Sequence, residues 1–273
     1  DRQTVVRMNR DTLYSPSVVD TSKGASITVP RMPDGRYCSV LMIDNDHYCP
    51  GVIYEPGTHP LPRDTKYLGV LVRIQLLNPT DPQDVALVNR LQDQFVIEAG
   101  SADPFPEPQW DAGSLERLTA EYKAEFAKHE KYPDGWMGPR GRADETIRHI
   151  ACAGAWGLFP NEHAVYINYN GGHDHRVCHK ATYRVPENDA FWSITVYGGD
   201  GFMKSDENIV SSSNVRLNAD GTFDVCFGSR EACGDAPNRL DTTEGWNFLM
   251  RVYRPGRSVL EGAYTLPAAR PVR

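Results

Sequence analysis

Arg7, Asn9, Asp11, Tyr14 and Ser15 stand close together near the start of the chain, in the run Val5-Val6-Arg7-Met8-Asn9-Arg10-Asp11-Thr12-Leu13-Tyr14-Ser15. They offer a guanidinium fork for a carboxylate or phosphate, an amide, a carboxyl, a phenol and a hydroxyl. If the run is extended, as its opening valines predict, Arg7, Asn9 and Asp11 share one face, with Val6, Met8 and Thr12 on the other. Tyr14 and Ser15 then fold back over the polar row before Pro16. A second polar stretch, Asp44-Asn45-Asp46-His47-Tyr48, ends an apolar run and adds His47, an imidazole whose tautomer a neighbouring Asp can fix. The set reads as an acid–base site, with Asp11, His47 and Tyr14 catalytic and Arg7, Asn9 and Ser15 holding substrate. The competing reading is a buried polar network tying a strand to its turn, with His47 facing solvent.

The segment from Asn170 to His179 is rich in histidine. On a strand, His173 and His175 point the same way with Cα atoms about 6–7 Å apart, which suits two ligands of one zinc or copper ion. His179 lies roughly 13 Å beyond His175 on the same rise, so it joins them only if the chain bends. A third ligand has to come from His47, His149, His163 or a carboxylate. A polar turn without metal is the expected state, and no other cofactor is implied. There is no Gly-x-Ser-x-Gly elbow, phosphate loop or dinucleotide fingerprint, and Ser193 reads as an ordinary strand residue. Trp192, Tyr197, Trp246 and Tyr253 read as core between sheets, a sugar-stacking platform being the alternative.

The elements that position these groups are mostly strands. Residues 26–29, 36–43, 51–54 and 67–76 form a first β block, with Pro33-Asp34-Gly35 as a turn. Apolar spacing predicts helices over 84–94, from a cap at Asp111 or Ser114 to about 129, and over 145–156. A loop with Pro104, Pro106 and Pro108 separates the first two, and Tyr132-Pro133-Asp134-Gly135 follows the second. Strands resume at 164–169, 178–185, 191–197, 215–218, 222–227 and 248–253, with Asn218-Ala219-Asp220-Gly221 as a hairpin turn. This order implies a mainly β fold with a helical insert, divided as 1–80, 81–160 and 161–273.

The 273 residues carry 40% hydrophobic and 24% charged side chains, as in an ordinary soluble protein. A net charge of −7 without a basic run argues against a nucleic-acid partner. No apolar stretch approaches the ~20 residues needed to span a bilayer. Asp1 opens the chain, as in a mature or trimmed form. Six cysteines without a Cys-x-x-Cys pair suggest an oxidised, secreted or periplasmic protein, with Cys38–Cys49 and Cys226–Cys233 as the favoured local bridges.

The opening run, with Pro33 to Tyr37 after it, resembles the family domain of unknown function 1254. Phe191 to Tyr197, the Asn218 to Gly221 turn, Gly245-Trp246-Asn247-Phe248 and Arg251-Val252-Tyr253-Arg254-Pro255 resemble domain of unknown function 1214. The resemblance implies an N-terminal immunoglobulin-like sandwich, a short helical module and a C-terminal jelly-roll-like sandwich, often in proteins exported from bacteria. It brings no established reaction, and the histidine loop departs from it. The resulting expectation is an exported protein with a pocket between β modules for a small polar or anionic molecule. That molecule is turned over by hydrolysis or elimination, Arg7 anchoring it and Asp11 or His47 acting as base. A non-catalytic carbohydrate-binding or structural module is the alternative. Self-association into a homo-oligomer stays open.

Overall fold

The computed structural model describes residues 3, 6–107, 109–129, 132–133 and 135–272; Asp1, Val5, Pro108 and Asp134 lie outside them. The chain forms two compact units, one of Thr12–Leu76 with Gln83–Asn161, the other of Asp1–Asp11, Leu77–Pro82 and Glu162–Arg273. The expected mainly β fold, with helices between two β blocks, is observed.

In the first unit the strands are β1 (Thr12–Asp20), β2 (Ala25–Val29), β3 (Cys38–Asp44), β4 (Gly51–Ile53), β5 (Gly57–Pro60), β6 (Tyr67–Gln75) and β7 (Val96–Ala99). They form two antiparallel sheets, ordered β1-β6-β3-β4 and β5-β2-β7. The central β3 is buried along its whole length, which explains its unbroken run Cys38-Ser39-Val40-Leu41-Met42-Ile43. Ile27, Val29, Val40, Met42, Val70, Val72 and Ile74 share one core with Val88 and Leu91 of helix α1 (Pro82–Gln92). Helix α2 (Ala112–Phe126) starts at the Asp111 cap, whose carboxylate accepts from Ser114 N–H. Helix α3 (Glu145–Gly154) is capped in the same way by Asp144.

The second unit holds β8 (Ala164–Asn170), β9 (His179–Tyr183), β10 (Trp192–Tyr197), β11 (Ile209–Ser211), β12 (Phe223–Phe227), helix α4 (Arg230–Cys233), β13 (Arg239–Leu240), β14 (Asn247–Tyr253), helix α5 (Arg257–Leu260) and β15 (Arg270–Pro271). Two four-stranded sheets, β11-β10-β14-β8 and β13-β12-β9-β15, enclose a core of Trp192, Ile194, Phe223, Phe227, Trp246, Phe248 and Met250. The Asn218–Gly221 turn closes as expected, with Gly221 at φ 81°. The expected strand over 215–218 does not form.

The cysteine pairing differs from expectation: the disulfide found among the described residues joins Cys178 to Cys233, and Cys38, Cys49, Cys152 and Cys226 form no disulfide there. Closeness in sequence was the wrong guide. Asp44 N–H bonds Tyr48 O across the turn that ends β3, so Cys49 sits by the far end of the strand. That is roughly 20 Å from Cys38 at strand rise, well beyond a disulfide's reach. Cys226 lies between the core residues Val225 and Phe227 and so takes the other face of β12. Cys178, next to the His179↔Phe227 pair, falls opposite Gly228, where a Cβ would come 2.7 Å from Cys233 Sγ.

Candidate functional site

Alternation along two neighbouring strands builds a polar floor. Trp192, Ile194 and Val196 of β10 and Phe248, Met250 and Val252 of β14 face the core. Ser193, Thr195 and Tyr197, with Arg251 and Tyr253, therefore face the other side, yet each is buried. Ser193 is paired in register with Arg251. Arg251 donates to Tyr197 OH at 2.9 Å and to Thr195 Oγ1 at 3.3 Å.

The opening segment docks on this floor through side chains. Arg251 donates to Arg7 O at 2.8 Å, and Tyr197 OH donates to Met8 O at 2.7 Å. Ser193 Oγ donates to Asp11 Oδ2 at 2.8 Å, Tyr253 OH reaches the same oxygen at 3.4 Å, and Asn9 Nδ2 donates to Tyr253 OH at 3.0 Å. Arg7 donates to Asn168 of β8 and has no carboxylate partner among the described residues, whereas Arg10 pairs with Asp206. Asn9 and Asp11 meet at Tyr253 while Arg7 reaches Asn168, and residues 6–11 are turn, bend and irregular backbone rather than the expected strand. Arg7 lies at φ 53°, and Asn9 Oδ1 accepts from Asp11 N–H, a local bond that replaces a backbone ladder.

Asp11 is 2% exposed, and its Oδ1 has no hydrogen-bond partner among the described residues. Burial pushes its carboxyl above the usual range, against the pull of the Arg251 charge and the bonds from Ser193 and Tyr253. A carboxyl so placed can hold a proton or accept one at Oδ1 while Oδ2 stays fixed.

Tyr14 and Ser15, expected to fold back over the polar row, are in strand conformation instead. They belong to β1 in the other unit, where Gln92 donates to Tyr14 O and Ser15 Oγ and the Arg73 guanidinium lies 5.0 Å from the Tyr14 ring. His47 is in that unit too. Asp44 Oδ1 accepts from Asp46 N–H and Tyr48 N–H, closing a turn that leaves His47 at φ 65°. The ring is buried, not solvent-facing, and neither nitrogen has a partner among the described residues. Burial, helped by Arg148, lowers its pKa to about 4, so it is neutral at pH 7. Arg140 bridges Asp44 and Asp46, and Arg140 and Arg148 lie 4.1 and 4.3 Å from the Tyr48 ring centre. Tyr48 OH donates to Glu145 at 2.6 Å.

The histidine loop bends. Val177 N–H bonds Asp174 O, and this turn stacks His179 on His173 at 4.7 Å between ring centroids. His173 Nε2 also meets Tyr169 OH at 3.0 Å. The partner of His173 in space is therefore His179, and the extended spacing used for His175 does not apply. Among the described residues no three His, Cys, Asp or Glu side chains gather to hold a metal ion.

Sequence reasoning missed Ser193, Tyr197, Arg251 and Tyr253 as members of the site, and Arg140, Glu145 and Arg148 around His47. One signal was present: an arginine inside the apolar run Phe248-Leu249-Met250-Arg251-Val252 has to find a buried partner. Trp192, Trp246, Tyr197 and Tyr253 are each about 1% exposed, so none offers a stacking surface.

No curated protein matches the chain. The VPA0106 protein from Vibrio parahaemolyticus has the same fold, with a TM-score of 0.79 at 16% identity over 98% of this chain and 90% of its own. An uncharacterized protein from Burkholderia cenocepacia gives a TM-score of 0.57 at 18% identity, over 100% of this chain and 80% of its own. No helix among the described residues is long and apolar enough to cross a membrane. Residues 1–49 match the family model for the protein of unknown function DUF1254 and residues 164–257 that for DUF1214, so the two matches stand in the order the motifs imply.

Proposed function

We propose that the chain is an exported protein that binds a small polar or anionic molecule at the polar floor of β8, β14 and β10 and turns it over by hydrolysis or elimination. Asp11 is the acid–base group and Arg7 the anion anchor. One observation carries the reading: a carboxyl 2% exposed, held at Oδ2 by Ser193 and Tyr253, keeps an Oδ1 without a hydrogen-bond partner among the described residues. Buried polar atoms without partners are uncommon and gather at sites of function. Arg7, half-buried and without an acidic partner among the described residues, supplies a fork for carboxylate or phosphate. His47, neutral at pH 7 and in the other unit, plays no part in this version of the site. Export rests on the Cys178–Cys233 bridge, since such bonds persist in oxidising compartments.

The test is a panel of small acids, esters and phosphorylated metabolites, read by thermal shift and by turnover, on wild type and Asp11→Asn. A hit whose binding survives Asp11→Asn while turnover falls by orders of magnitude supports the reading. Turnover unchanged by Asp11→Asn rules it out. The second reading is a non-catalytic β protein in which the cluster only fastens the N-terminal segment. The bonds from Tyr197 to Met8 O and from Arg251 to Arg7 O favour it, because they hold backbone and leave no group to a ligand.

A further inference from the structure

Helix α2 has no buried residue. Its C-terminal half lies on α3: Tyr122 meets the His149 ring edge-on at 4.8 Å, and Phe126 fills the space left by Gly154, where a Cβ would be 2.5 Å from its ring. The N-terminal half has no such ring contact among the described residues. Leu115 is 50% exposed and Leu118 43%, and Trp110, just before the cap, is 62% exposed. Trp110 and Leu115 hold the spacing of a hydrophobic staple, so one apolar patch runs across the start of the helix. A helix of this length is marginal in water on propensity alone, and contiguous apolar surface of this kind marks an interaction site.

The charges beside the patch identify the occupant. At 100° per residue, Arg117 and Glu121 lie on the same flank of Leu118, one turn apart. Both are exposed, and neither forms an ion pair among the described residues. They are equally spaced about Thr119. Two α2 helices laid antiparallel about a two-fold axis there bring Arg117 of each copy to Glu121 of the other, twice over. An isologous interface requires this self-complementarity. We propose that this face of α2 is the interface of a homodimer, with a second copy of the chain covering Trp110, Leu115 and Leu118.

Sedimentation velocity over a concentration series tests it on the full chain. Wild type is expected to dimerise, and Leu118→Glu to raise the dissociation constant at least tenfold, about 1.4 kcal/mol or more. Arg117→Glu alone and Glu121→Arg alone each weaken the dimer by placing like charges opposite one another, and the double exchange restores it. At dilutions where every variant is monomeric the melting temperature should stay unchanged, because the altered side chains are exposed in the monomer, whereas at dimer-forming concentrations it should fall with the weakened dimers. A wild-type monomer into the millimolar range, or a dimer indifferent to these substitutions, overturns the proposal.

Discussion

The Asp11 cluster and the His47 turn each place a buried titratable group near an arginine, with opposite results. Asp11 is gripped from three parts of the chain, by Ser193, by Tyr253 and by its own neighbour Asn9, and the Arg251 charge favours its ionised form. His47 is held only by a local turn, its ring makes no hydrogen bond among the described residues, and the Arg148 charge opposes its ionised form. Burial opposes charge at both places. At Asp11 the network offsets part of that cost. At His47 nothing sufficient does, and the ring stays neutral down to about pH 4. Burial of a titratable side chain is therefore a poor guide to catalysis by itself. What separates the two is the sign of the surroundings: at Asp11 a neighbouring charge and two hydrogen bonds favour the ionised form, whereas at His47 the Arg148 charge opposes it.

The largest effect should come from breaking the Asp11 side. Arg251→Met keeps the length of the side chain but leaves a buried carboxyl without its counter-charge. Removing one partner of a buried pair typically costs about 3–5 kcal/mol. Urea unfolding should register that loss, and combining the change with Asp11→Asn should recover much of it. Losses that simply add in the double variant would mean that Arg251 and Asp11 are not energetically coupled.

The second effect is a pH slope of opposite sign in the two regions. The folded pKa of His47 is lowered from 6.5 to about 4, so the unfolded chain binds the extra proton between those values. Stability should fall as pH drops from about 6.5 to about 4, by up to about 3 kcal/mol. Asp11 acts the other way. Its folded pKa is raised, so its contribution is whole below the unfolded value and is lost as pH rises through the folded one. His47→Asn, which tolerates the positive φ, should flatten the first slope and leave the second. Asp11→Asn should remove the second alone. Unfolding free energy measured from pH 4 to 8 in all three proteins checks both signs.

How much of this could be read from the chain follows from the range of each interaction. Arg7, Asn9 and Asp11 stood out as one polar group because they are neighbours in sequence, although the strand parity expected of them does not form. Their partners Ser193 and Arg251 did not, because nothing at residue 11 encodes a contact about 180 residues away. Within β10 and β14 the alternation gave the strands, yet Ser193 read only as an ordinary strand residue, because alternation does not show that the face opposite the core is buried as well. The helix over 112–126 was clear from its 3.6-residue period, but that period does not say which apolar positions stay uncovered. The disulfide went astray because sequence closeness stood in for strand register. The bend that stacks His179 on His173 depends on a turn bond at Asp174 that an extended reading leaves out.

A third substitution measures the hydrogen bonds at Asp11 apart from its charge. Ser193→Ala removes the 2.8 Å donor to Oδ2 and leaves Tyr253 and Arg251 in place. The expected loss is about 1–3 kcal/mol, the range for a buried group left short of a partner. It should also carry the Asp11 carboxyl further up, since the Ser193 bond pulls it down. A proton-sensitive NMR signal from Asp11 that does not move would remove Ser193 from the network.

The smallest effect belongs to the edge of the His47 turn. Arg140 is half-exposed where it bridges Asp44 and Asp46, and exposed ion pairs contribute about 0–1 kcal/mol. Arg140→Ala should therefore cost less than about 1 kcal/mol and leave the pH slope of His47 unchanged, because Arg140 is not among the charges acting on that ring. Arg148→Ala differs in kind. It removes a like charge, so the His47 pKa should rise towards its ordinary value and the acid-side loss of stability should shrink. Burial is the larger cause and remains, so the slope should shrink without vanishing. If both variants gave the same pH profile, Arg148 would have no part in the His47 shift and burial alone would account for it.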